Sequence, residues 1–139
     1  MQVSQSAYIY FVEGSAVEQL TLDGVKEQLQ RYREQTALTG RQLGWDYADA
    51  AFPYTIETKE GEPWFYLKGT DSHYRYIVIG VGQTERGDRT VHYVQVVLPD
   101  DATHGDKGKA NELCKYLAKH LQAELKLFNG RTIYYNPRK

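Results

Sequence analysis

Apolar and polar residues alternate with a period of two in six runs of this chain, and the period lengthens to steps of three and four in two places. Residues 6–12 read as a strand, with Ala7, Ile9 and Phe11 on one face and Tyr8, Tyr10 and Val12 on the other. Gly14-Ser15 ends it, and Ser15 with Glu18 fits a capping box for a short helical turn. Leu22, Val25, Leu29, Tyr32 and Thr36 then predict an amphipathic helix. Thr21 is a second N-cap candidate, Asp23 suits the helix dipole and Glu27–Arg31 is a favourable i,i+4 pair. Thr39-Gly40 supplies a stop. Residues 41–53 have no clean period but carry Leu43, Trp45, Tyr47 and Phe52, which predicts an irregular segment folded onto the core.

Four β-rich runs follow, at 54–59, 64–68, 74–83 and 90–98. The short links between them hold Gly, Pro, Asp or Ser, which predicts an antiparallel meander. Asp106 or Thr103 is placed to cap a second helix, whose stripe is Ala110, Leu113, Cys114, Leu117, Leu121, Leu125 and Phe128. Asn129-Gly130 supplies its stop, and residues 131–135 read as a last strand. The order β-α-β-β-β-β-α-β describes one α+β domain over residues 1–139, a mostly antiparallel sheet with its helices on one face.

Composition changes this picture in one respect. Tyr equals Leu at 12 each, although Leu is ordinarily among the commonest residues. Tyr favours strands and half-wet surfaces, because its ring is apolar and its hydroxyl needs a partner. Alternation puts these rings together: Tyr8 and Tyr10 fall opposite Ile9 and Phe11, Trp64 and Tyr66 opposite Phe65 and Leu67, Tyr74 and Tyr76 opposite Ile77 and Ile79, Tyr93 opposite Val94 and Val96, and Tyr134 opposite Ile133 and Tyr135. One sheet face is therefore aliphatic and takes the helices, and the other is rich in Tyr. Cross-strand packing on a half-solvated sheet accounts for such a face, and so does an interface for a second copy, a protein partner or a ligand.

Charge and motifs narrow the function classes. Seventeen basic against 18 acidic side chains and a net charge of −1 disfavour nucleic acid as a partner. No apolar run reaches the roughly 18 residues of a membrane span, and the first residues read as a mature cytoplasmic start. The single Cys114 suits a reducing compartment, and its place in an apolar stripe reads as structural. Gly80-Val81-Gly82 lacks the third glycine of a dinucleotide fingerprint, since position 85 is Glu85. Residues 105–110 lack the first Gly and the final Ser or Thr of a phosphate loop. Asp100, Asp101, His104 and Asp106 read as a solvated loop before a helix, so no metal or cofactor is expected. Arg86-Gly87-Asp88 is a hairpin turn. The non-enzymatic reading, a binding module with a self-associating Tyr face, has one rival. In it Trp45, Asp46, Tyr47, Asp49 and Phe52 line a pocket of a small enzyme or ligand receptor, with the two acids as polar anchors.

The run Gln42-Leu43-Gly44-Trp45-Asp46-Tyr47, then Ala50-Ala51-Phe52-Pro53-Tyr54 and Tyr76-Ile77-Val78-Ile79-Gly80-Val81-Gly82, resembles a small family of uncharacterised proteins from spore-forming Gram-positive bacteria. The likeness covers most of the chain. It implies a bacterial cytosolic protein of unknown function and carries no catalytic residue across.

Trp45 is expected to be the anchor that pins residues 41–53 to the first helix, since a polar loop has no use for Leu43, Trp45 and Phe52 together. Trp45→Ala should then cost ~3–5 kcal/mol in urea unfolding. A loss under about 1 kcal/mol would reject the anchor and favour the pocket.

Overall fold

The computed structural model describes residues 5–43, 53–58, 61, 63–70 and 72–136. Its elements are β1 (Gln5–Phe11), α1 (Leu22–Leu43), β2 (Tyr54–Thr58), β3 (Trp64–Gly69), β4 (Tyr76–Arg86), β5 (Arg89–Leu98), α2 (His104–His120), β6 (Glu124–Lys126) and β7 (Thr132–Tyr134). The strands form one sheet in the order β2-β3-β4-β5-β1-β6-β7. Every neighbouring pair is antiparallel. The α+β order expected from the periodicity is present, with one short strand more.

Alternation decides which side of the sheet the helices take. Ala7, Ile9 and Phe11 of β1, Phe65 and Leu67 of β3, Ile77 and Ile79 of β4, and Val94, Val96 and Leu98 of β5 are all buried on one face. Val25, Leu29 and Tyr32 of α1 close over it, as do Ala110, Leu113, Cys114, Leu117 and Ala118 of α2. Burying a large aliphatic side chain contributes about 1.5–3 kcal/mol, so this layer is the main source of stability. The two helices are also tied to each other. Tyr32 donates its hydroxyl to Glu112 Oε2 (2.8 Å) and accepts from Lys109 Nζ (3.3 Å), and the Tyr32 and Tyr116 rings meet edge to face at 5.0 Å.

The helix starts follow their caps. The Gly24 N–H donates to Thr21 Oγ1 (3.0 Å), so Thr21 is the N-cap of α1. Thr103 caps α2 in a reciprocal box: the Asp106 N–H donates to Thr103 Oγ1 (3.0 Å), and the Thr103 N–H donates to Asp106 Oδ2 (3.1 Å). Asp106 is fully buried and does more than cap. It accepts the Tyr54 hydroxyl (2.6 Å) and the Arg75 N–H (3.0 Å), which joins α2 to β2 and to the β3–β4 connection.

Four local expectations are corrected. Ser15 caps no helical turn. It closes a tight turn, its N–H on Val12 O (3.0 Å) and its Oγ accepting from the Val12 N–H (2.9 Å). Helix α1 runs through Gly40 to Leu43, because an interior glycine costs only ~1 kcal/mol and stops a helix only where the backbone turns left-handed. The second helix ends at His120, short of Leu125 and Phe128. Its stop is a Schellman pattern built without glycine: Gln122 takes φ 50°, its N–H donates to Lys119 O (3.3 Å), and the Ala123 N–H donates to Ala118 O (2.9 Å).

Past that stop Ala123, Leu125 and Leu127 are buried with period two, and β6 pairs with β1. Asn129-Gly130 turns β6 into β7, with Gly130 at φ 87° and the Arg131 N–H donating to Asn129 Oδ1 (3.0 Å). The fourth correction concerns Tyr74. Strand β4 begins only at Tyr76, and Tyr74 packs edge to face on buried Tyr54 at 5.4 Å, beneath the first turn of α2.

Asp106→Ala would leave the Tyr54 hydroxyl and the Arg75 and Thr103 amides without their acceptor, at about 1–3 kcal/mol for each buried donor. Guanidinium unfolding should show a total loss above about 3 kcal/mol, with Tyr54→Phe costing a fraction of it. A loss under about 1 kcal/mol for Asp106→Ala would show that water replaces the carboxylate freely.

Candidate interaction face

The face of the sheet turned away from α1 and α2 carries Tyr8, Tyr10, Tyr66, Tyr76, Tyr93 and Tyr134, and strand register places them. One row across the strands runs Tyr66–Val78–Val97–Ser6, with Glu57 at its β2 end. The next runs Trp64–Gly80–Gln95–Tyr8–Lys126. A third runs Gly82–Tyr93–Tyr10–Glu124–Tyr134.

The rings gather into two clusters. On β3 and β4, Trp64 and Tyr66 lie 6.5 Å apart and Tyr66 meets Tyr76 edge to face at 5.8 Å. On β1 and β5, Tyr8 stacks on Tyr10 at 5.6 Å, and Tyr93 stands edge-on to both at 5.4 and 5.8 Å. Offset and edge-to-face pairs of this kind contribute about 0.5–1.5 kcal/mol beyond burial. Tyr76 is 38% exposed, and Tyr134, at the β7 border, is 51% exposed.

Glycine shapes the ground between the clusters. A Cβ on Gly82 would come within 2.7 Å of the Tyr93 hydroxyl, so the Tyr93 ring lies over bare backbone there. A Cβ on Gly80 would crowd Trp64 Cβ (3.3 Å) and Pro63 O (3.2 Å). Beside Gly80 a shallow apolar hollow of about 320 Å³ is lined by Trp64, Val78, Gly80, Gln95 and Val97. Gln95 Nε2 donates to Ser6 Oγ (3.1 Å) and Tyr8 Oη (3.4 Å), which holds the amide in the floor.

Exposed Lys68 stands beside Tyr76 at the end of β3, and the other charges of this face lie toward its edges. Arg86 reaches over Tyr10 (4.3 Å to the ring centroid) and grips Glu124 with two hydrogen bonds of 3.2 and 2.8 Å. Partial burial pushes the Tyr10 hydroxyl pKa up, with Arg86 opposing it. The hydrogen bond to Glu124 pushes the Arg86 pKa up.

The structure thus brings Tyr8, Tyr10, Trp64, Tyr66, Tyr76, Tyr93 and Tyr134 onto one face and takes Tyr74 to the other side. The rival pocket residues Trp45, Asp46, Tyr47, Asp49 and Phe52 lie outside the described residues. In the sequence Gly80 and Gly82 stood out only as an incomplete dinucleotide fingerprint and Arg86 only as part of a turn, and Glu124 did not stand out. The two glycines share the parity of Tyr76 and Val78, which was the available signal. The Arg86–Glu124 grip depends on a strand read as helix and had none.

The other motifs have structural tasks. Asp106 serves Tyr54, Arg75 and Thr103, and Asp101 pairs with Arg75 at 3.3 Å. Among the described residues no three His, Cys, Asp or Glu side chains form a metal-holding group. Gly87-Asp88 makes the two-residue turn between β4 and β5, with Gly87 at φ 66°. No described helix is long and apolar enough to cross a membrane.

Among the described residues, architecture and face together define an α+β protein with both helices on one side of the sheet and aromatic rings on the other. The chain belongs to the family described as Domain of unknown function (DUF1885), which it matches over residues 5–137. It is similar to a crystal structure of a protein of unknown function from Bacillus stearothermophilus, with 46% identity and a TM-score of 0.57. That alignment covers 83% of this chain and 88% of the other. Both findings agree with the family resemblance seen in the sequence. Among curated proteins nothing matches.

Cys114 is buried in the core, and burial pushes its thiol pKa up to about 12. At pH ~8 it stays protonated, because that pH lies well below the raised value, and an unperturbed thiol would be partly ionised there. The folded protein should leave a disulfide reagent such as DTNB unreacted, and denaturant should release the single thiol. Fast reaction of the folded chain would contradict the buried placement.

Proposed function

We propose that this protein is a non-enzymatic binding module that associates with a second copy of itself through the open aromatic face. The supporting observation is the pair of half-buried ring clusters flanking an apolar hollow on a sheet face that neither helix covers. Tyr and Trp suit such a face, because they offer large area at small entropic cost and tolerate water while unpaired.

The dimensions agree. Four strands from β3 to β1 span roughly 15–20 Å, and the open face of β4 from Tyr76 to Gly82 adds about 20 Å along the strands. A corrugated patch of that footprint presents several hundred Å², the scale of a modest reversible dimer at roughly 800 Å² or less per partner. Two such faces stack as a sandwich, with sheets ~10 Å apart. A cytoplasmic setting is part of this reading, supported by the single buried thiol.

Sedimentation velocity at micromolar concentration tests the reading. The wild-type chain should form a concentration-dependent dimer. Tyr76→Ser and Trp64→Ala should each weaken it by about tenfold, as loss of an aromatic anchor does. Tyr76 is the cleaner site, since Tyr93 also packs over Gly82. A wild-type chain that stays monomeric throughout would reject self-association.

A further inference from the structure

We infer that the second copy docks about a two-fold axis that lies along the strands between β4 and β5, so that Glu57 of each copy meets Lys126 of the other. This rests on the self-association reading above and specifies its geometry. Two sheets packed face to face admit two simple arrangements, with the two-fold running along the strands or across them.

The axis along the strands exchanges β4 with β5, β3 with β1 and β2 with β6, because the sheet order is β2-β3-β4-β5-β1-β6-β7. Each residue then faces the residue that shares its row in the other half. Gly80 faces Gln95, Tyr66 faces Ser6 and Val78 faces Val97. A small side chain meets a larger one in the first two pairs, and two valines meet in the third. Trp64 falls opposite Tyr8, in the row that holds Gly80 and Gln95.

Charge separates the two arrangements. Glu57 stands on β2, in the row of Tyr66, and Lys126 on β6, in the row of Tyr8. The two strands lie equally far from the β4–β5 line, on opposite sides of it. With the axis along the strands, Glu57 of one copy lies one row, ~7 Å along the strand, from Lys126 of the other. A lysine stem reaches across that offset, and symmetry makes the pair twice. With the axis across the strands, β2 would lie over β2 and β6 over β6, and the like charges would share a border. Among the described residues no ion pair engages Glu57 or Lys126 within the chain. The Arg86–Glu124 pair is internally satisfied and takes no part.

Sedimentation equilibrium of Glu57→Lys, Lys126→Glu and the double variant tests the arrangement, with circular dichroism to confirm that each stays folded. Each single reversal should weaken the dimer about five- to tenfold by placing like charges together twice. The double variant, which restores opposite charges with their positions exchanged, should return to within about twofold of wild type. Added salt should weaken the wild-type dimer and strengthen the single variants. A wild-type dimer that both single reversals leave unchanged, or that the double variant fails to restore, would overturn this arrangement while self-association stands. A monomeric wild type would remove both.

Discussion

The two described helices, α1 and α2, lay their apolar stripes on one side of a seven-stranded sheet. Most other described features follow from that placement. The covered side can be apolar throughout, so Ile9, Phe65, Ile77, Ile79, Val94, Val96 and Leu125 pack there without access to water. The other side must be tolerable in water and still hold the strands together. Tyr meets both conditions, because the ring packs across strands and the hydroxyl stays hydrated. The ring pairs among Tyr8, Tyr10 and Tyr93, and among Trp64, Tyr66 and Tyr76, stabilise this face, over which neither described helix lies.

The helix layer is held in place by a polar lock as well as by packing. Asp106 caps its own helix and accepts from β2 and from the residue before β4. A buried carboxylate is tolerable only when donors surround it, and here a hydroxyl and two amides do. Tyr54 thus acts as core ring and as donor, and its contact with Tyr74 draws that residue off the open face. At the other border, β6 and β7 pair beyond β1 and remove the exposed edge that β1 would present. The Arg86–Glu124 grip clamps these short strands to the β4–β5 hairpin. That grip leaves the middle of the open face uncharged. Membership of a family of unknown function brings no substrate with it, so the physical character of this face carries the functional reading.

Much of the fold was legible in the chain, because burial on one side imprints a period on the sequence. The β4 run Ile77, Ile79 against Tyr76, Val78 has period two, and Val25, Leu29 and Tyr32 have steps of four and three. Thr21 and Thr103 could be read as caps because capping is a contact between residues three apart. The sorting of most tyrosines onto one face was legible for the same reason, since parity within a strand is a local property.

The misreadings share a physical cause. Leu117, Leu121 and Leu125 keep a helical step across a boundary that Gln122 makes by adopting a left-handed conformation, which its side chain does not announce. Ala123, Leu125 and Leu127 satisfy a strand's period equally well, and only the open edge of β1 decides between the two. Tyr74 keeps the parity of Tyr76, yet Asp106 bonds the Arg75 amide and Tyr54 offers Tyr74 a ring, so it lies on the opposite side. Local residue order dictates which side chains are buried along each element and the period that buries them. Strand order, the Arg86–Glu124 grip, the Asp106 lock and the glycine-floored hollow between the ring clusters were decided by tertiary structure. Each joins residues far apart in the chain, and local periodicity holds no information about such pairs.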